Sequence, residues 1–192
     1  MTLITVVICS YLLGSIPFGL VLTRLAGLGD IRNIGSGNIG ATNVLRTGNK
    51  PLAALTLFLD GAKGAVAVLL TNLIAPELVP LAGLAALIGH LFPVWLKFKG
   101  GKGVATAIGI LTALCWPIGL SVIATWLIVA KLSHYSSLAA LVSIGLAPVY
   151  ALFFGRGDIL WLAVVILVLV FLKHSRNIKR LKEGTEPKIG QS

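Results

Sequence analysis

The chain has 192 residues, of which 57% are hydrophobic and 11% are charged, and its formal net charge is +10. A soluble domain usually carries about 25% charged residues, so this composition argues against a soluble protein and favours a membrane protein. The excess of lysine and arginine is typical of cytoplasmic loops in membrane proteins, which explains it better than nucleic-acid binding, and it is compatible with anionic lipid or an anionic substrate.

Long uncharged stretches predict membrane-spanning helices. Residues 3–23 and 104–130 contain no charged side chain, and an apolar run of about 18 residues or more is typical of a membrane span. Seven apolar segments are predicted in chain order: 2–25, 51–74, 80–96, 104–116, 117–130, 135–154 and 159–172.

The number of spans depends on how the two short segments 104–116 and 117–130 are interpreted. They are either one long helix kinked at Pro117 or two helices joined there by a tight outer turn. Seven spans with the N-terminus outside place nearly all lysines and arginines on the cytoplasmic side, whereas six spans divide them almost equally. The positive-inside rule therefore favours seven.

We accordingly expect an all-α polytopic membrane protein with seven transmembrane helices, some of them short or tilted, and a cytoplasmic C-terminus. The sequence has no internal repeat and no domain boundary. It predicts one domain over residues 1–192, with a basic cytoplasmic tail over residues 173–192. With seven spans in this orientation, all three polar segments discussed in the following paragraphs lie on the cytoplasmic face.

The first polar segment, residues 35–46, carries three glycines among small polar side chains. Exposed backbone N–H groups in such turns bind anions, especially at the start of a helix. If a helix begins near Ala41, three side chains share a face: Thr42, Asn43 and Arg46. Arg46 can fork a phosphate or carboxylate, and Ser36 is a candidate ligand or catalytic hydroxyl. The alternative is a flexible polar loop.

The second polar segment, residues 99–106, is a glycine-rich turn with Lys102 that leads into a helix. Backbone N–H groups and a cation at a helix start suit a phosphate. It is not a Walker A loop, since Gly103 stands where serine or threonine is required. A tight interhelical turn with snorkelling lysines explains the segment equally well.

The third polar segment follows the last apolar segment and contains His174 and Asn177, which share a helical face. An ordinary interfacial histidine is the alternative. Glu186, further along the tail, is explained more simply as one member of an ion pair in a loop, which would contribute little to stability.

Ionisable side chains also occur within two predicted spans. Asp60 and Lys63 are three residues apart, and such residues tend to face a polar interior in pairs. A structural ion pair is at least as plausible here as direct chemistry. His90 in the third segment either contacts substrate or ties helices together.

Some known chemistries have no counterpart in the sequence. No cluster of histidine, cysteine and carboxylate residues has metal-ligand spacing. None of the three histidines has aspartate four residues later, the pair that marks other glycerolipid acyltransferases. Acyl transfer would therefore need an activated donor or a base supplied by the substrate.

The motifs together closely resemble the bacterial PlsY family, the acyl-phosphate:glycerol-3-phosphate acyltransferases. The resemblance covers almost the whole chain and departs at no motif position. It rests on five stretches in this order: 36–46, 60–64, 89–90, 99–106 and 174–186.

The resemblance implies a seven-span enzyme of the cell inner membrane with its active site at the cytoplasmic face. It implies transfer of a fatty acyl group from acyl phosphate to the 1-hydroxyl of glycerol 3-phosphate, giving lysophosphatidic acid and phosphate, the first step of phospholipid biosynthesis. We expect no cofactor, no metal and no nucleic acid, a monomer surrounded by membrane lipid, and a functional link to the enzyme that makes acyl phosphate. A membrane anion or phosphate transporter, or an acyltransferase that uses acyl-CoA or acyl carrier protein, remain alternatives.

The motifs and the resemblance together predict the site. The predicted catalytic residues are Ser36, Arg46, His174 and Asn177. The predicted substrate-binding residues are Asn38, Thr42, Asn43, Lys63, His90, Gly100, Gly101, Lys102 and Gly103. The predicted structural residues are Asp60 and Glu186.

Overall fold

The computed structural model describes residues 2–190, which form helices joined by short turns and contain no β-strand. The α-helices are α1 (Thr2–Gly14), α2 (Phe18–Leu25), α3 (Ala41–Val44), α4 (Lys50–Ile74), α5 (Val79–Leu91), α6 (Val104–Leu114), α7 (Trp116–Ser133), α8 (Ser136–Gly145), α9 (Ala147–Phe153), α10 (Leu160–Lys173) and α11 (Ser175–Lys182). The predicted all-α class is confirmed for these residues.

Helix length and composition identify the stretches that suit a bilayer. Four qualify on their own: Lys50–Ile74, Pro76–Leu96, Trp116–Ser133 and Ser136–Phe153. Within the described residues the number rises to six if each of two bent helix pairs is one span, and α6 is a shorter apolar helix of 11 residues. Each predicted apolar segment is thus helical over most of its length.

The first predicted span is broken rather than continuous. Helices α1 and α2 meet at an angle of 40°, and Pro17, which has no backbone N–H to continue the helix, lies between them. At the break the Ile16 carbonyl oxygen accepts from the Phe18 N–H at 3.1 Å and from the Lys63 ammonium at 2.8 Å.

The structure resolves the alternative at Pro117 in favour of two helices. Helix α6 ends at Leu114 and α7 begins at Trp116, because Cys115 is extended, with φ −159° and ψ 99°. The turn therefore lies at Cys115, whereas the sequence suggested Pro117. Pro117 occupies the first turn of α7, where its missing N–H has no helical partner to lose.

The predicted basic tail begins with a helix. Helix α11 is bent by 63° from α10, and His174 lies at the bend. The last two residues of the tail are outside the described residues.

The central contact in the fold joins α4 to α6. Gly64 and Gly109 allow the two backbones to approach, because an added Cβ would crowd the Thr106 carbonyl oxygen at 2.7 Å in the first case and overlap the Gly61 backbone in the second. Small residues are typical at such contacts between membrane helices. The contact fixes the start of α6, which directly follows Lys102 and Gly103, beside the middle of α4.

Candidate active site

A cavity of about 940 Å³ opens between the polar loops and helices α4, α6 and α7. Polar segments from all three predicted motifs line one end of it. The other part is apolar, with Phe58 and Val66 on α4, Ile108 on α6 and Leu127 on α7. Since Phe58 and Leu127 are 69% and 57% exposed, the apolar part is open toward the lipid-facing side.

The Asn43 side chain holds the first polar loop together. Asn43 is 2% exposed, and its Nδ2 donates to the backbone oxygens of Ile31 at 2.9 Å, Ile34 at 2.9 Å and Asn38 at 2.8 Å. The helix expected near Ala41 begins there and carries Asn43 into the loop. One amide thus closes the chain from residue 31 to residue 43.

The carbonyl oxygen of the same amide fixes the two predicted catalytic residues of this loop. Asn43 Oδ1 accepts from the Ser36 N–H at 3.0 Å, the Ser36 hydroxyl at 3.2 Å and Arg46 Nη1 at 3.3 Å. Asn43 was predicted to bind substrate, but protein groups already occupy its polar atoms. The structure therefore gives it the role of shaping the loop that presents Ser36 and Arg46 to the cavity.

The other predicted members of this loop also line the cavity. Asn38 Oδ1 accepts from the Gly40 N–H at 2.9 Å. The exposed Thr42 hydroxyl lies 3.2 Å from the Ser136 hydroxyl, which links the loop to the start of α8. Ser136 was not singled out from the sequence, because an isolated serine near the start of an apolar segment indicates no function by itself.

The second polar loop is fixed through its backbone. The Gly100 N–H donates to the Leu91 oxygen at 3.2 Å and the Gly101 N–H to the His90 oxygen at 3.1 Å. The two N–H groups that were predicted to bind phosphate thus both donate to the end of α5. Neither glycine lines the cavity.

Lys102 and Gly103 of this loop do line the cavity. Gly103 has φ 87° and precedes α6, whose first turn has no side-chain cap, so its N–H groups are available to an anion. Burial lowers the pKa of the Lys102 ammonium to about 8; Glu186 acts in the opposite direction, and Arg180 and Arg46 lower it further. These cations gathered at one end of the cavity suit a multiply charged anion.

His174 lies at the bend between α10 and α11 and is 3% exposed. Its Nδ1 is 2.8 Å from the Val170 carbonyl oxygen. Because a carbonyl oxygen only accepts, Nδ1 carries the proton of the neutral ring and Nε2 is left as an acceptor. His174 lines the cavity, and burial together with the nearby Lys102 ammonium lowers its pKa to about 4, so the resting ring is neutral and can only take up a proton transiently.

Asn177 and Arg180 on α11 hold the tail against the cavity. Asn177 Nδ2 donates to Glu186 Oε1 at 2.5 Å, and Arg180 Nε donates to Glu186 Oε2 at 2.6 Å. Burial acts to raise the pKa of the Glu186 carboxyl, but its hydrogen bonds outweigh this and hold the pKa below its usual value. Sequence reasoning missed Arg180, although its spacing of three residues from Asn177 placed both on one helical face.

Asp60, Lys63 and His90 form a buried cluster behind the second loop. The predicted ion pair is confirmed, with Lys63 Nζ 2.7 Å from Asp60 Oδ1. Lys63 was predicted to bind substrate, but its 1% exposed side chain donates to the Ile16 oxygen and does not line the cavity. His90 lies at the cavity edge, with Nδ1 3.7 Å from Asp60 Oδ1.

A cavity with a cationic polar end and an apolar groove suits a reaction between an anionic small molecule and a lipid chain. Residues 4–184 match the family model described as Glycerol-3-phosphate acyltransferase. The chain belongs to this family. It is an acyltransferase of the membrane, whose family acts in phospholipid biosynthesis.

Relatives of similar length support the assignment. A glycerol-3-phosphate acyltransferase of Paramagnetospirillum magneticum is 58% identical over 189 residues, 98% of this chain and 94% of the relative. One of Mesorhizobium japonicum is 58% identical over 188 residues, 98% of this chain and 96% of the relative.

Two solved structures have the same fold. The chain is similar to the crystal structure of PlsY (YgiH), an integral membrane glycerol 3-phosphate acyltransferase, in its glycerol 3-phosphate form. The TM-score is 0.94 at 39% identity, covering 99% of this chain and 96% of that one. The lysophosphatidic acid form gives a TM-score of 0.92 at 37% identity, with the same coverage.

Proposed function

We propose that this enzyme transfers a fatty acyl group from acyl phosphate to the 1-hydroxyl of glycerol 3-phosphate, giving lysophosphatidic acid and phosphate. The observation that carries the proposal is the composite cavity. Its polar end gathers Arg46, Lys102 and Arg180, and its other end is an apolar groove of α4, α6 and α7 side chains. The relatives' shared name supplies the acceptor.

The composite cavity fits both reactants. Acyl phosphate is half lipid and half phosphate, so its chain fits the apolar groove while its phosphate meets the cationic end. Glycerol 3-phosphate is a small dianion and fits the polar end alone. The Arg46 guanidinium can bind one phosphate with two N–H groups, and Lys102 with the first turn of α6 can bind the other.

The proposed chemical step is direct. The 1-hydroxyl oxygen of the acceptor attacks the acyl carbonyl carbon, the bond from that carbon to the phosphate oxygen breaks, and phosphate leaves. The hydroxyl proton goes to His174 Nε2 or to the acceptor's own phosphate. Because acyl phosphate is a mixed anhydride with a good leaving group, positioning and charge stabilisation suffice as catalysis.

The predicted catalytic residues take separate roles in this proposal. Ser36, whose hydroxyl is held by Asn43, orients a substrate and is not a nucleophile. Arg46 stabilises phosphate charge, and His174 accepts or relays the proton. Asn177 holds Glu186 and so the tail beside the substrates. A burst of phosphate from donor alone, with an acyl group trapped on Ser36, would overturn the direct step.

The proposed membrane arrangement has seven spans, with the N-terminus outside and the site at the cytoplasmic face of the inner membrane. It is supported by the separation of α6 from α7 at Cys115 and by the basic α11. Single cysteines introduced at Lys99 and Gly155 test it, in a protein whose own Cys9 and Cys115 are replaced by alanine. A membrane-impermeant maleimide applied to intact cells should label the Gly155 site and spare the Lys99 site. Equal labelling of both would reject this arrangement.

One assay that compares three donors in parallel tests the identity of the acyl donor. Purified enzyme in lipid receives labelled glycerol 3-phosphate with acyl phosphate, acyl-CoA or acyl carrier protein carrying the same chain. We expect labelled lysophosphatidic acid from acyl phosphate alone. Product from another donor would replace the proposed donor, and uptake into vesicles without lysolipid would favour transport.

We also propose a monomer that receives its donor from the enzyme that makes acyl phosphate. One chain supplies the whole cavity described above, which supports the monomer. Mass photometry of active enzyme in nanodiscs should give the mass of one chain, and an active dimer alone would reject this.

A further inference from the structure

His90 is the one side chain of the buried cluster that reaches the second polar loop. It is 5% exposed, and its Nδ1 has no hydrogen-bond partner among the described residues. Asp60 Oδ1 lies 3.7 Å from that nitrogen and forms an ion pair with Lys63 at 2.7 Å. The other side of the ring packs against Gly101.

The backbone and the ring of His90 both contact Gly101, the residue before Lys102. Its backbone oxygen accepts the Gly101 N–H at 3.1 Å, and its ring occupies the space where a Cβ on Gly101 would lie, overlapping Nε2. The ring therefore packs directly against the backbone of the second loop, next to Gly101.

We propose that His90 is a positioning residue that fixes Gly101 and thereby aims the Lys102 ammonium into the cavity. The proposal rests on the function proposed above, because it assigns Lys102 to phosphate binding. It replaces the prediction that His90 binds substrate. Asp60 faces the ring on one side, 3.7 Å from Nδ1, and Gly101 meets it on the other.

The two adjacent glycines of this loop provide a matched test. A Cβ on Gly101 would overlap the His90 ring, whereas a Cβ on Gly100 would overlap the His90 backbone oxygen and the Pro93 ring. Shortening the His90 side chain can therefore make room for alanine at position 101 and cannot make room at position 100. Both alanine variants remove one glycine from the same turn, so they match in backbone flexibility.

The experiment uses six proteins: wild type, His90→Asn, Gly101→Ala, Gly100→Ala and the two double variants. Asparagine ends before the position of Nε2 and keeps a polar atom near Asp60. We expect His90→Asn to raise the KM for glycerol 3-phosphate about tenfold with a smaller change in kcat, and Gly101→Ala to lower kcat/KM about 100-fold. The His90→Asn/Gly101→Ala protein should recover at least about tenfold over Gly101→Ala, the size of coupling typical of residues in contact.

The control pair should behave differently. His90→Asn/Gly100→Ala should show no recovery over Gly100→Ala. Recovery at 101 together with none at 100 supports the proposal. Absence of recovery at 101, or equal recovery at both positions, overturns it, because the contact between the His90 ring and Gly101 would then not limit activity.

Folding and function are separated by two further measurements. Thermal unfolding and glycerol 3-phosphate binding are measured on every variant. If His90→Asn does not fold, His90→Ala takes its place. If neither variant folds, the role of His90 is structural and the proposal is overturned. If wild type binds glycerol 3-phosphate but forms no product from any donor, the proposed function fails. If wild type is active and position 101 is not rescued, only the positioning role fails.

Discussion

The two loops that form the polar end of the cavity are built in opposite ways. The first loop is held by side-chain chemistry, because the Asn43 amide bonds three backbone oxygens on one side and Ser36 and Arg46 on the other. The second loop is held by backbone packing, because Gly100 and Gly101 lie directly on the end of α5. The first loop should therefore be sensitive to polarity, and the second to volume.

The largest expected effect is that of Asn43→Asp, which tests the side-chain half of this comparison. Its second carboxylate oxygen would face the carbonyls of Ile31, Ile34 and Asn38, which then lose their donor. We expect the free energy of unfolding to fall by about 3 kcal/mol or more and activity to be lost, as measured by thermal unfolding and product formation.

Asn38→Asp is the matched control for that change. The Asn38 side chain accepts from the Gly40 N–H through its oxygen, and a carboxylate can do the same, so the unfolding temperature should stay near that of wild type. Equal destabilisation by both variants would mean that Asn43 has no special place in the loop.

The next effect concerns the cation that the second loop presents. Lys102→Gln keeps much of the side-chain volume but removes the charge from the cavity. We expect kcat/KM for glycerol 3-phosphate to fall about 100-fold, in the range found when one oxyanion donor is removed. Lys97→Gln is the control, because it also removes one positive charge but from a residue that does not line the cavity. A comparable fall in kcat/KM for Lys97→Gln would indicate that Lys102 acts only through long-range electrostatics.

The depressed pKa of Lys102 predicts a decline at alkaline pH. Burial lowers the pKa to about 8, so the ammonium is charged below that pH and loses its proton above it. We expect kcat/KM for glycerol 3-phosphate to fall by up to about tenfold per pH unit above 8, as for one titrating group.

An arginine at position 102 checks the origin of this decline. Lys102→Arg stays charged throughout the range, so its alkaline decline should disappear even if its maximal rate is lower. A decline that persists unchanged in Lys102→Arg would show that another group titrates.

The smallest expected effect is that of Ser36→Ala. If the hydroxyl only orients a substrate, its loss removes about 0.5–1.5 kcal/mol of transition-state stabilisation, which corresponds to about a two- to tenfold lower kcat/KM. The Ser36 N–H still donates to Asn43, so the unfolding temperature should not change. Loss of more than about a thousandfold would favour a covalent role and place the first loop at the centre of the chemistry.

Sequence reasoning predicted much of the fold because lipid imposes a strong and local constraint. Apolar segments without charge must be helical to satisfy their backbone groups, and the seven predicted segments are helical over most of their length. The break at Pro17 was missed, since the residues around it are as apolar as the helices themselves. Hydropathy does not distinguish a bent apolar segment from a straight one.

The site was predicted less evenly. Ser36, Arg46, Lys102, His174 and Asn177 all line one cavity, and their motifs were visible in the sequence. Arg180 was missed because one more arginine in a basic tail is indistinguishable from its neighbours. Lys63, Gly100 and Gly101 were assigned to substrate, yet they contact other parts of the protein.

The sequence by itself determined the helical membrane class, the candidate polar motifs and the buried Asp60–Lys63 pair. These depend on composition and on spacing along one helix, which are local properties. Only the tertiary structure decided which polar atoms face the cavity and which are used by the protein. The Asn43 amide and the Gly100 and Gly101 N–H groups find their partners through turns and packing between segments, and no local pattern encodes those partners.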